Sequence, residues 1–384
     1  MKITIVMGFF LPVPPLAGGA TEKIWFRFAQ LFAQAGHEVT LISRRWPGLA
    51  NCELADGITH LRLRGRTHTR SLPINLLLDF LWSVKVLFAL PRGDIVVSNN
   101  VSLPIFAGKL RPSAGRVAVV LGRMPKGQTR FYGLVDRLLP TSNAVFEKVL
   151  TENPRVAARC RISLNPVDWG FHAKANVKPR TGAPLTIGYV GRINPEKGLE
   201  NLVDAAALLY ARGDLPPWRL VIIGPHSVAA GGGGDDYLRS LVTRAQAALP
   251  AAQFEFTGPI FNAVELGRRY GEIDVFCYPT LAEQGEGLSV APIEAMAAGA
   301  VPVVSNLSCY RDLIVAGENG LVFDHRAPNA TAQLADQLAS LLSDAPRRRQ
   351  LAARAQADAH RFDYAETARR LLEDFQSLTD RPRR

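Results

Sequence analysis

Two carboxylates and two cations stand out by type and spacing. Glu286 and Glu294 lie within Gly285 to Ser305 (GEGLSVAPIEAMAAGAVPVVS), and Arg192 and Lys197 within Gly191 to Gly198 (GRINPEKG). An ionised carboxylate only accepts hydrogen bonds, so two of them suit the hydroxyls of a sugar and a ribose, which present donors in fixed directions. Arginine offers a planar fork to two oxygens, and lysine a movable point charge. A nucleotide diphosphate leaving group gathers negative charge as its bond breaks, and needs cations placed where that charge appears. Taken singly, the glutamates read as solvated side chains and the Arg–Lys pair as a surface salt bridge. Together, about ninety residues apart in the chain, they read as a nucleotide-sugar site.

Each pair needs elements to deliver it. Asp274 to Tyr278 reads as a strand ending at Pro279, and Val301 to Ser305 as another. Between them, Ala291 to Ala298 is rich in Ala, Ile, Met and Glu without an internal glycine, which predicts a short buried helix carrying Glu294. Ala297, Ala298 and Ala300 are small enough to let that helix press on a neighbouring backbone. Glu286 sits in the loop before it. Leu185 to Val190 is the strand that delivers Gly191 and Arg192, and Lys197 stands just before an amphipathic helix (Leu199, Leu202, Val203, Ala206, Leu209). Loops leaving the carboxyl edge of a parallel sheet are where open α/β sheets bind ligands.

The stretch EGLSVAPIEAMAAGAVPVVS resembles the signature of the retaining glycosyltransferases of family GT4: a glutamate, seven residues, a second glutamate, then EAMAxGxPVV. The resemblance implies that Glu286 contacts the donor sugar, with Gly287, Leu288 and Ser289 beside it, and that Glu294 holds the ribose hydroxyls. GRINPEKG resembles the family's GRLxxEKG, which implies that Arg192 and Lys197 bind the donor phosphates without a metal, next to Gly191. It implies a GT-B fold, two Rossmann-like doubly wound α/β domains facing across a cleft. The implied reaction is hexosyl transfer from a UDP- or GDP-linked sugar with retention and no further cofactor. No residue is an obvious covalent nucleophile, so front-face displacement assisted by the leaving phosphate is the expected mechanism. An epimerase or phosphorylase of the same fold is the first alternative, and a basic non-enzymatic binding protein the second.

The N-terminal half follows the same plan. Ile3 to Met7 is a buried strand, Gly8 to Gly19 a proline-rich loop, Thr21 to Ala35 a helix, and Val39 to Ser43 the next strand. Gly18-Gly19 before a helix reads as a plain turn by default; by the resemblance the glycines open toward the donor diphosphate, since backbone without Cβ approaches closely. Ile58 to Leu63, Asp94 to Ser98, Arg116 to Leu121 and Arg137 to Thr141 read as strands, with Ser142 capping a helix through Leu150. Many family members carry a histidine at the end of the strand that here closes on Leu121-Gly122. Arg123 and Lys126 are the acceptor-side candidates there, and read equally as a solvated basic loop. Asn165-Pro166-Val167-Asp168 with Phe171 resembles the family's NGVDxxxF, with Pro for Gly, and Phe171 to Pro184 reads as a linker. The expected domains are 1–170 and 171–361, with a helix of about 362–384 packing back on the first. Gly231 to Gly234 reads as a flexible insertion, and the tail Thr379 to Arg384 as frayed.

The chain has 384 residues, 47% apolar and 21% charged, which allows two cores. Cys52, Cys160, Cys277 and Cys309 form no CxxC pair and have no matching His spacing, so a metal site or disulfide framework is not expected, and a reducing, cytoplasmic compartment is. The apolar run at the N-terminus reads as a first strand rather than a secretory signal. Of the +11 net charge, residues 1–170 hold 22 basic and 10 acidic side chains, so the excess lies in the N-terminal half. A basic loop (Arg62, Arg64, Arg66, Arg70) leads into Pro73 to Leu90, an apolar segment with Phe80, Trp82 and Phe88. As a helix it reaches about 27 Å, short of a ~30 Å hydrocarbon core, and it carries Asp79 and Lys85. It reads as a core helix or as a peripheral contact with an anionic membrane, which would suit a lipid-linked or surface polysaccharide acceptor. Nucleic acid is not expected as a partner, because no aromatics interleave the basic loop for base stacking.

Overall fold

The computed structural model describes residues 1–69, 71–175 and 184–380. Contacts divide the chain into two α/β units: 1–166 with 285–288 and 364–384, and 167–284 with 289–363. The chain crosses between the units after residues 166, 284, 288 and 363.

The first unit is built on β1 (Lys2–Val6), α1 (Ala20–Gln34), β2 (Glu38–Arg44), β3 (Cys52–Ala55), β4 (Ile58–Leu63), α2 (Leu72–Ala89), β5 (Ile95–Ser98), α3 (Leu103–Leu110), β6 (Arg116–Leu121), β7 (Arg137–Pro140) and α4 (Asn143–Glu152). Its sheet runs β3-β4-β2-β1-β5-β6-β7, parallel except for β3. Strands such as β5 (IVVS), with every residue buried, form because helices cover both faces of a parallel sheet. β3 has no counterpart in the sequence reading. It pairs antiparallel with β4 through Asp56 and Gly57, whose φ values of 53° and 74° match the two-residue turn that suits strand twist.

That hairpin corrects the reading of Arg62. Arg62 is buried on β4, ion-paired to Glu53 at 2.6 Å and donating to Ala50 O at 2.6 Å and Val13 O at 3.3 Å. It ties the proline loop to the sheet edge and is no part of a surface basic loop. Arg70 lies outside the described residues.

α2 packs one face inward: Trp82, Val86, Leu87 and Leu90 join the core of Val6, Ile42 and Val96. Trp82 Nε1 donates to Met7 O at 3.0 Å, and Asp79 accepts the backbone N–H of Ser102 at 2.8 Å, holding the start of α3. The other face exposes Leu72, Ile74, Leu76, Leu77, Phe80, Leu81 and Phe88. Among the described residues α2 is the one helix long and apolar enough to cross a membrane, and 28% of its 18-residue span is buried.

The second unit adds α5 (Trp169–Lys174), β8 (Leu185–Val190), α6 (Leu199–Arg212), β9 (Trp218–Ile223), α7 (Asp235–Ala248), β10 (Phe254–Gly258), α8 (Ala263–Gly271), β11 (Val275–Tyr278), α9 (Val290–Ala297), β12 (Val301–Ser305), β13 (Leu321–Phe323), α10 (Ala330–Ser343) and α11 (Ala345–Ala359). All six strands are parallel, in the order β10-β9-β8-β11-β12-β13. Pro302 is tolerated in β12 because the β13 ladder begins only at Val303. The linker expected over Phe171 to Pro184 is helical at its start, where Asp168 caps α5 by accepting from Phe171 N at 2.9 Å; residues 176–183 lie outside the described residues, as does the tail from 381.

The last helix, α12 (Tyr364–Thr379), belongs to the first unit and packs on α1. Phe28 meets Tyr364 and Phe32 meets Phe375 edge to face, and Arg137 pairs with Asp374 at 2.8 Å.

Candidate active site

Strand order reverses between β8 and β11, so the loops leaving those strands stand at the switch point where open sheets hold ligands. Gly191 to Gly198 follows β8. Tyr189 stacks on Tyr278 of β11 with centroids 5.4 Å apart, and its hydroxyl donates to Arg192 O at 2.9 Å. The two loops are sewn together: Leu281 N donates to Glu196 O at 2.8 Å, and Thr280 Oγ1 to the same oxygen at 3.1 Å. Gly198 has φ of 64°, and a Cβ there would stand 2.2 Å from Pro279 O. No other residue lets the two loops close this way.

Arg192 donates through Nη2 to Glu196 Oε1 at 2.7 Å and through Nη1 to Gly231 O at 2.8 Å. Asn194 Nδ2 donates to Gly231 O at 3.1 Å, and Gly233 N to Ile193 O at 2.8 Å. Gly231 to Gly234 is therefore no flexible insertion. It is a loop folded onto Arg192, with the space at Gly232 filled by the His226 backbone and at Gly233 by Tyr237 and Pro195. Lys197 is buried, its Nζ lying 5.4 Å from the Tyr278 ring centroid and 4.0 Å from Glu196 Oε1. A ring face and a carboxylate are the partners a buried cation needs.

Ser289 precedes α9 and its Oγ lies 3.0 Å from Tyr310 Oη. Tyr310 in turn meets Tyr278 edge-on at 6.4 Å, so Lys197 and Ser289 converge on one aromatic group. Glu294 is buried on α9; its Oε2 accepts from the Tyr270 hydroxyl at 2.9 Å, and its Oε1 lies 3.6 Å from His172 Nε2. Burial, and then the Glu294 charge, hold the Tyr270 hydroxyl far above its ordinary value, so it stays a proton donor.

The other candidates belong to the first unit. Gly18 and Gly19 have φ of 76° and 99°, in the left-handed region that favours glycine. A Cβ on Gly19 would stand 2.2 Å from Glu22 Oε2. Glu22, in the first turn of α1, was not singled out by the sequence reading, although an acid just after Gly-Gly at a helix start is visible there. Burial pushes its carboxyl up to about 7, outweighing a hydrogen bond from its own backbone N–H, which favours the charged form. Glu286 is buried. Gly287 leaves no room for a side chain, since a Cβ would meet Gly122 O at 2.4 Å and Thr141 Oγ1 at 2.8 Å. Leu288 is buried and its carbonyl accepts from Asn165 Nδ2 at 2.6 Å. Arg123 and Lys126 are exposed in the loop after β6. Burial first, then the Arg123 charge, lowers the His68 imidazole below its ordinary value. The candidates thus fall into two groups, Gly18, Gly19, Arg123, Lys126 and Glu286 to Leu288 in one unit, and Gly191, Arg192, Lys197, Ser289 and Glu294 in the other. Among the described residues no cluster of three or more His, Cys, Asp or Glu could hold a metal.

Comparison with known proteins gives this arrangement a family. Residues 172–358 match the family described as glycosyl transferases group 1. The phosphatidyl-myo-inositol mannosyltransferase of Mycobacterium leprae is 30% identical over 313 residues, 78% of this chain and 70% of that protein. The chain belongs to the group 1 glycosyltransferases, the GT4 family. Another relative in the family is the D-inositol 3-phosphate glycosyltransferase of Corynebacterium urealyticum, 31% identical over 213 residues, 55% of this chain and 48% of that protein. The chain spans about half the length of several such relatives. Among solved structures, a glycosyltransferase from Rickettsia africae superposes with a TM-score of 0.75 at 16% identity, covering 99% of both chains. The Anabaena protein HepE, in complex with UDP and glucose, superposes with a TM-score of 0.74 at 17% identity, over 98% of this chain and 100% of that one. At such identities the likeness shows the fold, and the fold of this group 1 glycosyltransferase is GT-B.

Proposed function

We propose that the chain transfers a hexosyl group from a UDP- or GDP-linked sugar to a hydroxyl of a lipid-linked acceptor, with retention and without a metal. The observation that carries the donor half is the gathering of Arg192, Lys197, Ser289 and Glu294 at the switch point of one sheet. Arg192 and Lys197 meet the leaving diphosphate and Glu294 takes the ribose; Glu286, with Gly287 and Leu288, meets the sugar. The bond from the anomeric carbon to the diphosphate oxygen breaks. The acceptor oxygen bonds to that carbon on the same face, and its proton passes to the departing phosphate. The activities of the relatives, on inositol phosphate and phosphatidylinositol, support an acceptor of that kind, and the UDP complex of HepE supports the donor class. The experiment is a thermal-shift panel of nucleotide sugars followed by transfer assays. A cognate donor at ~100 times its Kd adds about 2.7 kcal/mol of stability; no shift with any UDP- or GDP-sugar would overturn the reading.

The acceptor half rests on α2. Its outward face is apolar, and exposed Arg64, Arg66, Lys85, Arg92 and Lys109 flank it in sequence and fold. An apolar face edged with cations suits an anionic membrane surface, at about 1 kcal/mol per basic residue near the lipid. We place the chain as a peripheral protein at the cytoplasmic face, where four unpaired cysteines are at home. Co-sedimentation with anionic vesicles that weakens with salt supports this; absence of binding at low salt would leave a soluble acceptor.

A further inference from the structure

Glu294 is served by residues that no motif marks. Three helices bring their side chains onto it: α9 carries Glu294 itself, α8 carries Tyr270, and α5 carries His172. The Tyr270 hydroxyl donates to Oε2 at 2.9 Å, and His172 Nε2 lies 3.6 Å from Oε1, an electrostatic rather than a hydrogen-bonding distance. The His172 ring meets the Tyr270 ring edge-on, 5.4 Å apart at 88°, and Phe276 backs Tyr270 from the sheet at 6.1 Å. His172 Nδ1 is buried with no hydrogen-bond partner. A ring proton there would face no acceptor, so the proton belongs on Nε2, toward Glu294. α5 is anchored for this task, because Trp169 Nε1 donates to Gln356 O at 2.9 Å and Gln356 Nε2 to Ala297 O at 2.8 Å, at the end of α9.

Resting on the proposed ribose role of Glu294, we propose that Tyr270 and His172 are positioning residues, which lock its carboxylate in the orientation that receives the vicinal hydroxyls of a nucleoside diphosphate. A carboxylate has about four lone-pair directions. Tyr270 takes one and His172 biases the plane. Without the Tyr270 hydroxyl the plane turns freely, and hydroxyl recognition weakens while diphosphate recognition at Arg192 and Lys197 stays.

The test uses the full chain and calorimetry with UDP and 2′-deoxy-UDP, or GDP and 2′-deoxy-GDP, whichever base binds more tightly. Wild type is expected to prefer the ribo form about tenfold, as for one hydrogen bond to a charged group. Tyr270→Phe keeps the ring and is expected to bring that preference to about threefold or less, with unchanged affinity for the deoxy form. In turnover it raises the donor KM and spares kcat. His172→Leu is expected to act in the same direction, and His172→Gln, which can place a donor near Nε2, to restore the preference. Both variants keeping the wild-type preference would overturn the positioning role and leave the ribose role standing. A wild type that binds both forms equally would overturn the ribose role itself, and this inference with it.

Discussion

Removing one cation from Arg192 or Lys197 tests where the charge develops. Arg192→Ala and Lys197→Ala are each expected to lower kcat by about 10²–10³, or about 2.7–4 kcal/mol, with a smaller change in donor affinity. Steady-state kinetics with a cognate donor reads it, and unchanged turnover in both would remove the phosphate role. Glu294→Gln is expected to weaken the bare nucleoside diphosphate by about 1.5–3 kcal/mol, whereas Glu286→Gln leaves that binding intact and impairs transfer. Calorimetry and assay together separate the two roles. Glu22 makes a different prediction, about pH. Its carboxyl is raised by burial from about 4.5 to about 7, so the folded state holds the proton more tightly than the unfolded one. The stability it contributes is full below about pH 4.5 and lost as pH rises through 7. At about 1.4 kcal/mol per unit this amounts to about 3 kcal/mol. Urea unfolding at pH 5 and pH 8 should show that loss in wild type and not in Glu22→Gln.

At the scale of elements, α2 offers a test that leaves the fold alone. Leu77 and Leu81 are 58% and 49% exposed, so Leu77→Glu and Leu81→Glu should change stability by no more than about 0.5 kcal/mol. Each is expected to weaken anionic-vesicle binding about tenfold, as the loss of one inserted apolar side chain. Equal binding by the variants would detach α2 from the membrane. The elements are also where the sequence can and cannot be read. Parallel strands buried on both faces announce themselves as largely apolar runs, so β8, β9, β11 and β12 are legible from LTIGYV, RLVII, VFCY and VPVV. β3 is short and half exposed, with Leu54 facing outward, so its apolar residues form no buried run, and its one local signal is the Asp56-Gly57 turn beside it. Arg62 looks like its basic neighbours because burial is invisible in a charge count; its partners Glu53, Ala50 O and Val13 O come from the hairpin and the proline loop. Four glycines look flexible in sequence for the same reason, since their close packing against His226 and Tyr237 depends on a loop closing elsewhere. Glu294 is legible from its motif, but Tyr270 and His172 stand 24 and 122 positions from it and share no local pattern.

The whole molecule is one chain threaded twice. Apart from residues 285–288, which belong to the first unit, it leaves that unit at Pro166 and returns at Tyr364, and the two ends of the inserted stretch are bonded to each other, Val167 N donating to Phe362 O at 2.8 Å. The second unit is therefore an insertion whose ends already meet. Residues 167–363, expressed alone, are expected to fold and to bind a nucleoside diphosphate through Arg192, Lys197 and Glu294. Failure of that fragment to show a cooperative transition would mean that the insertion leans on its host.

The return of α12 also sets a timetable. Phe28 and Phe32 on α1 are covered by Tyr364 and Phe375, which are separated from them by more than three hundred residues. At about 5–20 residues per second of synthesis, roughly 10–40 seconds pass between the end of the first unit's main segment and the arrival of its closing helix. In that interval the aromatic stripe of α1 is uncovered on the ribosome, while the inserted unit can already be complete. The usual N-to-C order of folding is thereby reversed, and the part of the protein made first is the part finished last. Ribosome-bound chains stalled after residue 363 should accordingly lose segment 1–166 to protease before segment 167–363.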